Sequence, residues 1–165
     1  MGELSDAAKK LQKACDQAYD KNLGSCSHAV WAVLKEITNK DEPYRVANDL
    51  VDHMKNYWES VTVQKGHDLA NTGVVVVGGT KKEKGSGHVV VIYPGDLITN
   101  GGYLFFWKKG NKNLTMRATG HYPRALSTSS GSWPGGKSRG DKTVWDPWGS
   151  DEAFKQVKFW TPKAK

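Results

Sequence analysis

Apolar residues recur at helical spacing through the first third of the chain and gather into short unbroken runs beyond it. Ala7, Leu11, Cys15 and Ala18 stand three or four apart and predict a first amphipathic helix. The glycine of "KNLGS" (21–25) breaks it. Ser25 is then placed as an N-cap. Ala29, Val30, Val33, Leu34 and Ile37 line one side of a second helix from Cys26 to about Thr38, which "NKDEP" ends. After Pro43, the residues Val46, Leu50, Met54 and Trp58 fall at i, i+4, i+8 and i+12 and predict a third helix.

Past residue 70 the period changes. "GVVVVGG" (73–79) reads as a short, fully buried strand bounded by glycines, and "GHVVVIYPGD" (87–96) as a second one ending in a Pro-Gly turn. "GYLFFWKKGN", "HYPRALST", "DKTVWD" and "QVKFWTP" are weaker strand candidates, and "STSSGSWPGGKSRGD" (127–141) is a loop by its glycine, serine and proline content. Helices first and strands afterwards predict an α+β layout, N-terminal helices on a mostly antiparallel sheet. With no internal repeat and 165 residues, the expectation is one domain spanning 1–165.

A hydrophobic fraction of 38% suits a globular chain rather than a disordered one. No apolar run approaches membrane-spanning length. The N-terminal stretch "MGELSDAAKKLQKAC" has no apolar core of a secretory signal, so action outside the cell of origin would need another machine to carry the protein. The formal net charge of +7 and a pI near 9.3 favour acidic partners in general, although the cations are spread along the chain in the manner of a solvated surface. A non-catalytic polyanion binder is one function class, yet no nucleic-acid motif is present. "GVVVVGGTKKEKGSG" lacks the glycine and lysine spacing of a phosphate loop. Two cysteines make no disulfide scaffold, and the histidines at 28, 53, 67, 88 and 121 lack metal-ligand spacing, so no metal or cofactor is expected.

Cys26 is either core filler or a thiol set where a helix N-terminus stabilises its anion. Cys15, on the apolar side of the first helix, reads as a small core residue. Among the histidines, His28 is too close along the helix to face Cys26, His53 reads as surface, and His67 and His121 stand near loops. His88 differs: it begins a buried strand after the polar loop "KKEKGSG", which holds an imidazole rigidly at the edge of the core. A histidine that merely satisfies a strand end is the other reading.

"GSCSHAVWAVLKEI", followed some sixty residues later by "GSGHVVVIYPG", resembles the NlpC-type cell-wall peptidases, a papain-like superfamily. Within that group the chain looks most like the type VI secretion amidase effectors. "ACDQAYDKN", "RVANDLVDHM", "TGVVVVGG" and "YPRALSTSSG…GDKTVW" follow in family order, so the similarity covers residues 10 to 148 in outline. The resemblance implies a papain-like fold and hydrolysis of an amide in the peptide stem of peptidoglycan. It implies Cys26 as nucleophile and backbone oxyanion donor, and His88 as general base and acid. The third polar residue of such sites falls on Ser127 through "YPRALST", with Asp96, Thr128 or a backbone carbonyl as alternatives. The bond implied is D-Glu to diaminopimelate, or else the diaminopimelate to D-Ala crosslink. Also implied are delivery from the bacterial cytoplasm into a target cell's periplasm by type VI secretion machinery, and a cognate immunity protein that plugs the cleft. A deamidase or acyltransferase acting on proteins would keep the same dyad.

The family pattern is interrupted by an insertion, "LITNGGYLFFWKKGNKNLTMRATG". Its "YLFFWKKGNK" offers stacking faces and cations, or else Phe105, Phe106 and Trp107 cover an edge of the core, the preferred expectation. Trp133 in "GSWPGG" is expected to be exposed, lining a substrate groove or meeting the inhibitor, whereas Trp145 is expected under the sheet.

Overall fold

Ser5 opens the first helix by accepting a hydrogen bond from the Ala8 N–H at 3.1 Å, an N-cap that satisfies one of the orphan donors. A computed structural model of the protein describes residues 4–163. Helix α1 (Asp6–Lys21) buries Ala8, Leu11, Ala14, Cys15 and Ala18. The core stripe therefore runs through Ala8 and not the exposed Ala7, a rotation of one position from the expected face. Helix α2 (Cys26–Ile37) is capped by Ser25, whose Oγ accepts from the His28 N–H, and buries Ala29, Val30, Val33 and Leu34. A fully buried valine or leucine such as Val33 or Leu34 contributes about 1.5–3 kcal/mol. Helix α3 (Ala47–Tyr57) seats Leu50 and Met54 inside, while Val46 and Trp58 lie at its two caps.

The strands are β1 (Glu59–Val61), β2 (Val77–Thr80), β3 (His88–Thr99), β4 (Leu104–Trp107), β5 (Lys112–Thr115), β6 (His121–Ser127), β7 (Ser138–Thr143) and β8 (Lys158–Thr161). Six of them form one antiparallel sheet in the order β1-β8-β2-β3-β6-β7, and β4 and β5 pair as a separate hairpin. Helix α4 (Val63–Ala70) and the short α5 (Asp151–Phe154) complete the chain. The architecture is α+β, with α1 and α2 packed on β3 at the middle of the sheet. Cys15, Val33, Val76, Val90 and Ile92 share the resulting core. No helix among the described residues is long and apolar enough to cross a membrane.

Three strand boundaries differ from expectation. β2 begins only at Val77 and takes in Gly78 and Gly79. A Cβ on Gly78 would stand 2.4 Å from the Phe159 ring on β8, so the absence of a side chain is what lets that ring lie on the strand. β3 does not end at Pro94-Gly95. It passes through them with a register shift between Tyr93 and Ile98, and Asn71 and His67 hold the Gly95 backbone at 2.8 and 2.9 Å. β7 takes in "SRG", read from composition as loop.

Candidate active site

The site is assembled from the N-terminus of α2, the start of β3 and the end of β6. Cys26 is the first residue of α2, so its N–H and the next lie among the donors that no helical carbonyl satisfies. The backbone N–H groups of Val89, Ser27 and Cys26 itself act on the thiol in the sense that favours its anion. Val89, the strand residue that follows His88, is the largest of these influences. Burial nevertheless pushes the Cys26 thiol up from its ordinary value, with those N–H groups opposing it. Cys15 and Cys26 are both free thiols, and Cys15 is core.

His88 opens β3, and its Nε2 lies 2.9 Å from Ser127 Oγ at the end of β6. Ser127 is 1% exposed and donates its own hydroxyl proton to the Gly136 carbonyl at 2.7 Å. A hydroxyl has one proton. With that proton committed, Ser127 Oγ accepts from His88, which assigns the hydrogen to Nε2 and leaves Nδ1 as the ring's lone pair. Burial pushes the imidazole down to about 4, and the Lys82 charge acts in the same direction. Trp148 meets the imidazole edge-on, with ring centroids 5.3 Å apart, and is itself anchored by its indole N–H donating to Thr80 Oγ1 at 2.9 Å.

Cys26 and His88 open into one cleft of about 710 Å³, walled by Tyr44, Ser129, Trp133 and Trp148. Trp133 does line this cleft, but it is half-buried rather than exposed. Its indole N–H donates to the Asp146 carbonyl at 2.8 Å, and its ring packs edge-on against Tyr103 and Phe105. Trp145 lies buried, as expected.

The alternatives to these residues are placed elsewhere. Asp96 is exposed, and its carbonyl accepts from Arg124. Thr128 is buried with its hydroxyl unpartnered. His28 is occupied by Ser25 Oγ at 2.7 Å and stacks on Tyr44. His67 is buried on α4, an element the periodicity does not announce. Among the described residues no cluster of three or more His, Cys, Asp or Glu could hold a metal.

Two contributors escape sequence reasoning. Asn48, in the first turn of α3, ties down the loop before His88 with four hydrogen bonds. Its Nδ2 donates to the Lys82 and Gly85 carbonyls, and its Oδ1 accepts from the Lys82 and Gly87 N–H groups, at 3.0–3.1 Å. Trp148 stands sixty residues beyond the histidine it touches. Neither has a local signal, since an asparagine near a helix start and a tryptophan after a proline are each ordinary. Comparison with models of known protein families gave no match, and comparison with curated proteins gave none either.

Proposed function

We propose that the protein is a cysteine amidase of papain-like, NlpC type that hydrolyses an amide in the peptide stem of bacterial peptidoglycan. The D-Glu to diaminopimelate bond is the preferred target, ahead of the diaminopimelate to D-Ala crosslink. The observation that carries the reading is the hydrogen bond from His88 to Ser127 beside a helix-terminal thiol. It leaves Nδ1 as the one basic ring nitrogen of His88, a residue that lines the same cleft as Cys26.

The reaction follows from that arrangement. Burial favours a neutral thiol and a neutral imidazole at rest. His88 Nδ1 therefore takes the Cys26 proton as the sulfur attacks the carbonyl carbon, and the carbonyl electrons move to oxygen. The backbone N–H of Cys26 at the α2 terminus donates to that oxyanion. Collapse breaks the C–N bond, His88 returns the proton to the leaving amine, and a thioester remains on Cys26. Water, giving up a proton to His88, then cleaves the thioester and restores the thiol.

Action as a type VI secretion toxin, delivered from the producing cell's cytoplasm to the periplasm of a neighbour, belongs to the same proposal. So does a cognate immunity protein seated in the cleft, for which Trp133→Ala should weaken the complex. The decisive experiment digests diaminopimelate-type peptidoglycan with the wild type and with Cys26→Ala and identifies the muropeptides by mass. New fragments from the wild type alone support the amidase and name the bond. Fragments from neither, or equally from both, overturn it.

A further inference from the structure

The inserted segment does not behave as core cover. Leu104 is 66%, Phe106 54% and Trp107 42% exposed, on the hairpin β4–β5 that no other strand joins. Its base is rigid. The buried Asp146 accepts from the Gly101 N–H and from the Tyr103 hydroxyl, both at 2.9 Å, and Phe105 packs on Trp133. Alternation along β4 then turns Phe105 inward and leaves Leu104 and Phe106 on the opposite, outer face.

The charge is segregated in the same place. Residues 97–140 contain seven Lys and Arg and no Asp or Glu, while the rest of the chain balances 17 cations against 17 carboxylates. The whole formal charge of +7 thus resides in this one segment. Within it, Arg139 pairs with Asp16 and Asp20, and Arg124 is spent on backbone carbonyls. Lys108, Lys109, Lys112 and Arg117, all on or beside the hairpin, are exposed and make no ion pair among the described residues.

We infer that the β4–β5 hairpin docks the protein on the surface of an anionic phospholipid bilayer. Leu104 and Phe106 enter the headgroup boundary, Trp107 sits at the interface, and the four cations meet lipid phosphates. Apolar side chains ringed by lysines with long snorkelling stems are what such an interface accommodates. Two other occupants fit less well. Sugar stacking needs a bare aromatic face, but Gly110 lies against the Trp107 ring, where a Cβ would stand 2.0 Å away, and Lys112 is over it at 5.8 Å from the ring centre. A second copy would set these four cations against their own counterparts, with no carboxylate in the segment to offset them. The inference stands whether or not Cys26 is a nucleophile.

The test is co-sedimentation with vesicles of phosphatidylglycerol and phosphatidylcholine in equal parts, beside pure phosphatidylcholine, at low and high salt. The proteins are the wild type, Leu104→Ser/Phe106→Ser and Lys108→Glu/Lys109→Glu. Each double variant alters exposed side chains outside the cleft, so thermal unfolding and muropeptide cleavage in solution should match the wild type. The wild type is expected to pellet with the anionic vesicles only, and each variant to bind roughly tenfold or more weakly. Failure of the wild type to pellet at low salt overturns the inference, as does undiminished binding by Leu104→Ser/Phe106→Ser. Two results would reassign the face: a wild-type dimer that this variant makes monomeric, or retention on insoluble peptidoglycan without vesicle binding.

Discussion

Replacing Ser127 by alanine probes the site through a buried residue that does not itself line the cleft. Two hydrogen bonds disappear: the 2.9 Å acceptor of His88 Nε2–H and the 2.7 Å donor to the Gly136 carbonyl. Ser127 is 1% exposed, so the groups left behind have poor access to water. Leaving buried partners unsatisfied costs about 1–3 kcal/mol of stability, readable as a lowered urea midpoint. The catalytic loss has a separate origin. Without the oxygen, nothing favours the hydrogen on Nε2 or fixes the ring, and a tautomer with the hydrogen on Nδ1 cannot accept the thiol proton. A neutral hydrogen bond of this kind is worth about 0.5–1.5 kcal/mol, which predicts a loss of roughly 2- to 12-fold in kcat/KM.

The assay is steady-state cleavage of a soluble stem peptide, run well below the unfolding temperature of the variant. Because the lost interaction acts on His88 and not on the substrate, kcat should fall while KM stays near its wild-type value. Ser127→Cys, close in shape but a weaker acceptor, should lie between the two. If Ser127→Ala loses stability as predicted yet keeps kcat within twofold, Ser127 is a structural hydroxyl and the assigned tautomer has no catalytic consequence.

Three further outcomes follow from the same physics. As pH falls, the unfolded chain protonates its histidine near 6.5 while His88 resists until about 4, so stability should drop across that interval by up to about 3 kcal/mol. Chemical denaturation at several pH values should show this slope, and His88→Gln should flatten it. In the native protein a thiol reagent should label Cys26 and spare the buried Cys15 until unfolding, with the Cys26 rate still climbing past pH 9; a plateau from near neutrality would mean a preformed ion pair. Gly78→Ala, which drives a methyl into the Phe159 ring, should cost about 1–3 kcal/mol, and an unchanged unfolding midpoint would show that the ring yields freely.

Local chemistry was legible in the chain, and approach between distant segments was not. Ser25 and the periodic apolar face of α2 mark the helix start within a dozen residues, which is why Cys26 could be placed at its mouth from spacing alone. α4 gave no such signal, because it is eight residues long and contains Gly66, which reads as a breaker. In the fold that glycine is a contact: a Cβ there would stand 2.8 Å from Ile92, so its bareness lets α4 lie on the sheet. The hairpin misled for the opposite reason. Consecutive aromatics read as core by default, and only a fixed base at Asp146 turns Leu104 and Phe106 outward.

The site's third member shows the limit most clearly. β3 and β6 pair with Val91 opposite Leu126, and that register carries Ser127 to the position across from Val90. His88, two residues earlier, then shares its face. A slip of one residue would send Ser127 to the other side of the sheet. The adjoining pairs Ile92 with Ala125 and Tyr93 with Arg124 hold that register, and the shift at Gly95 falls beyond them. A serine in "YPRALST" acquires its role through that pairing with a strand more than thirty residues earlier, and not through its sequence neighbours.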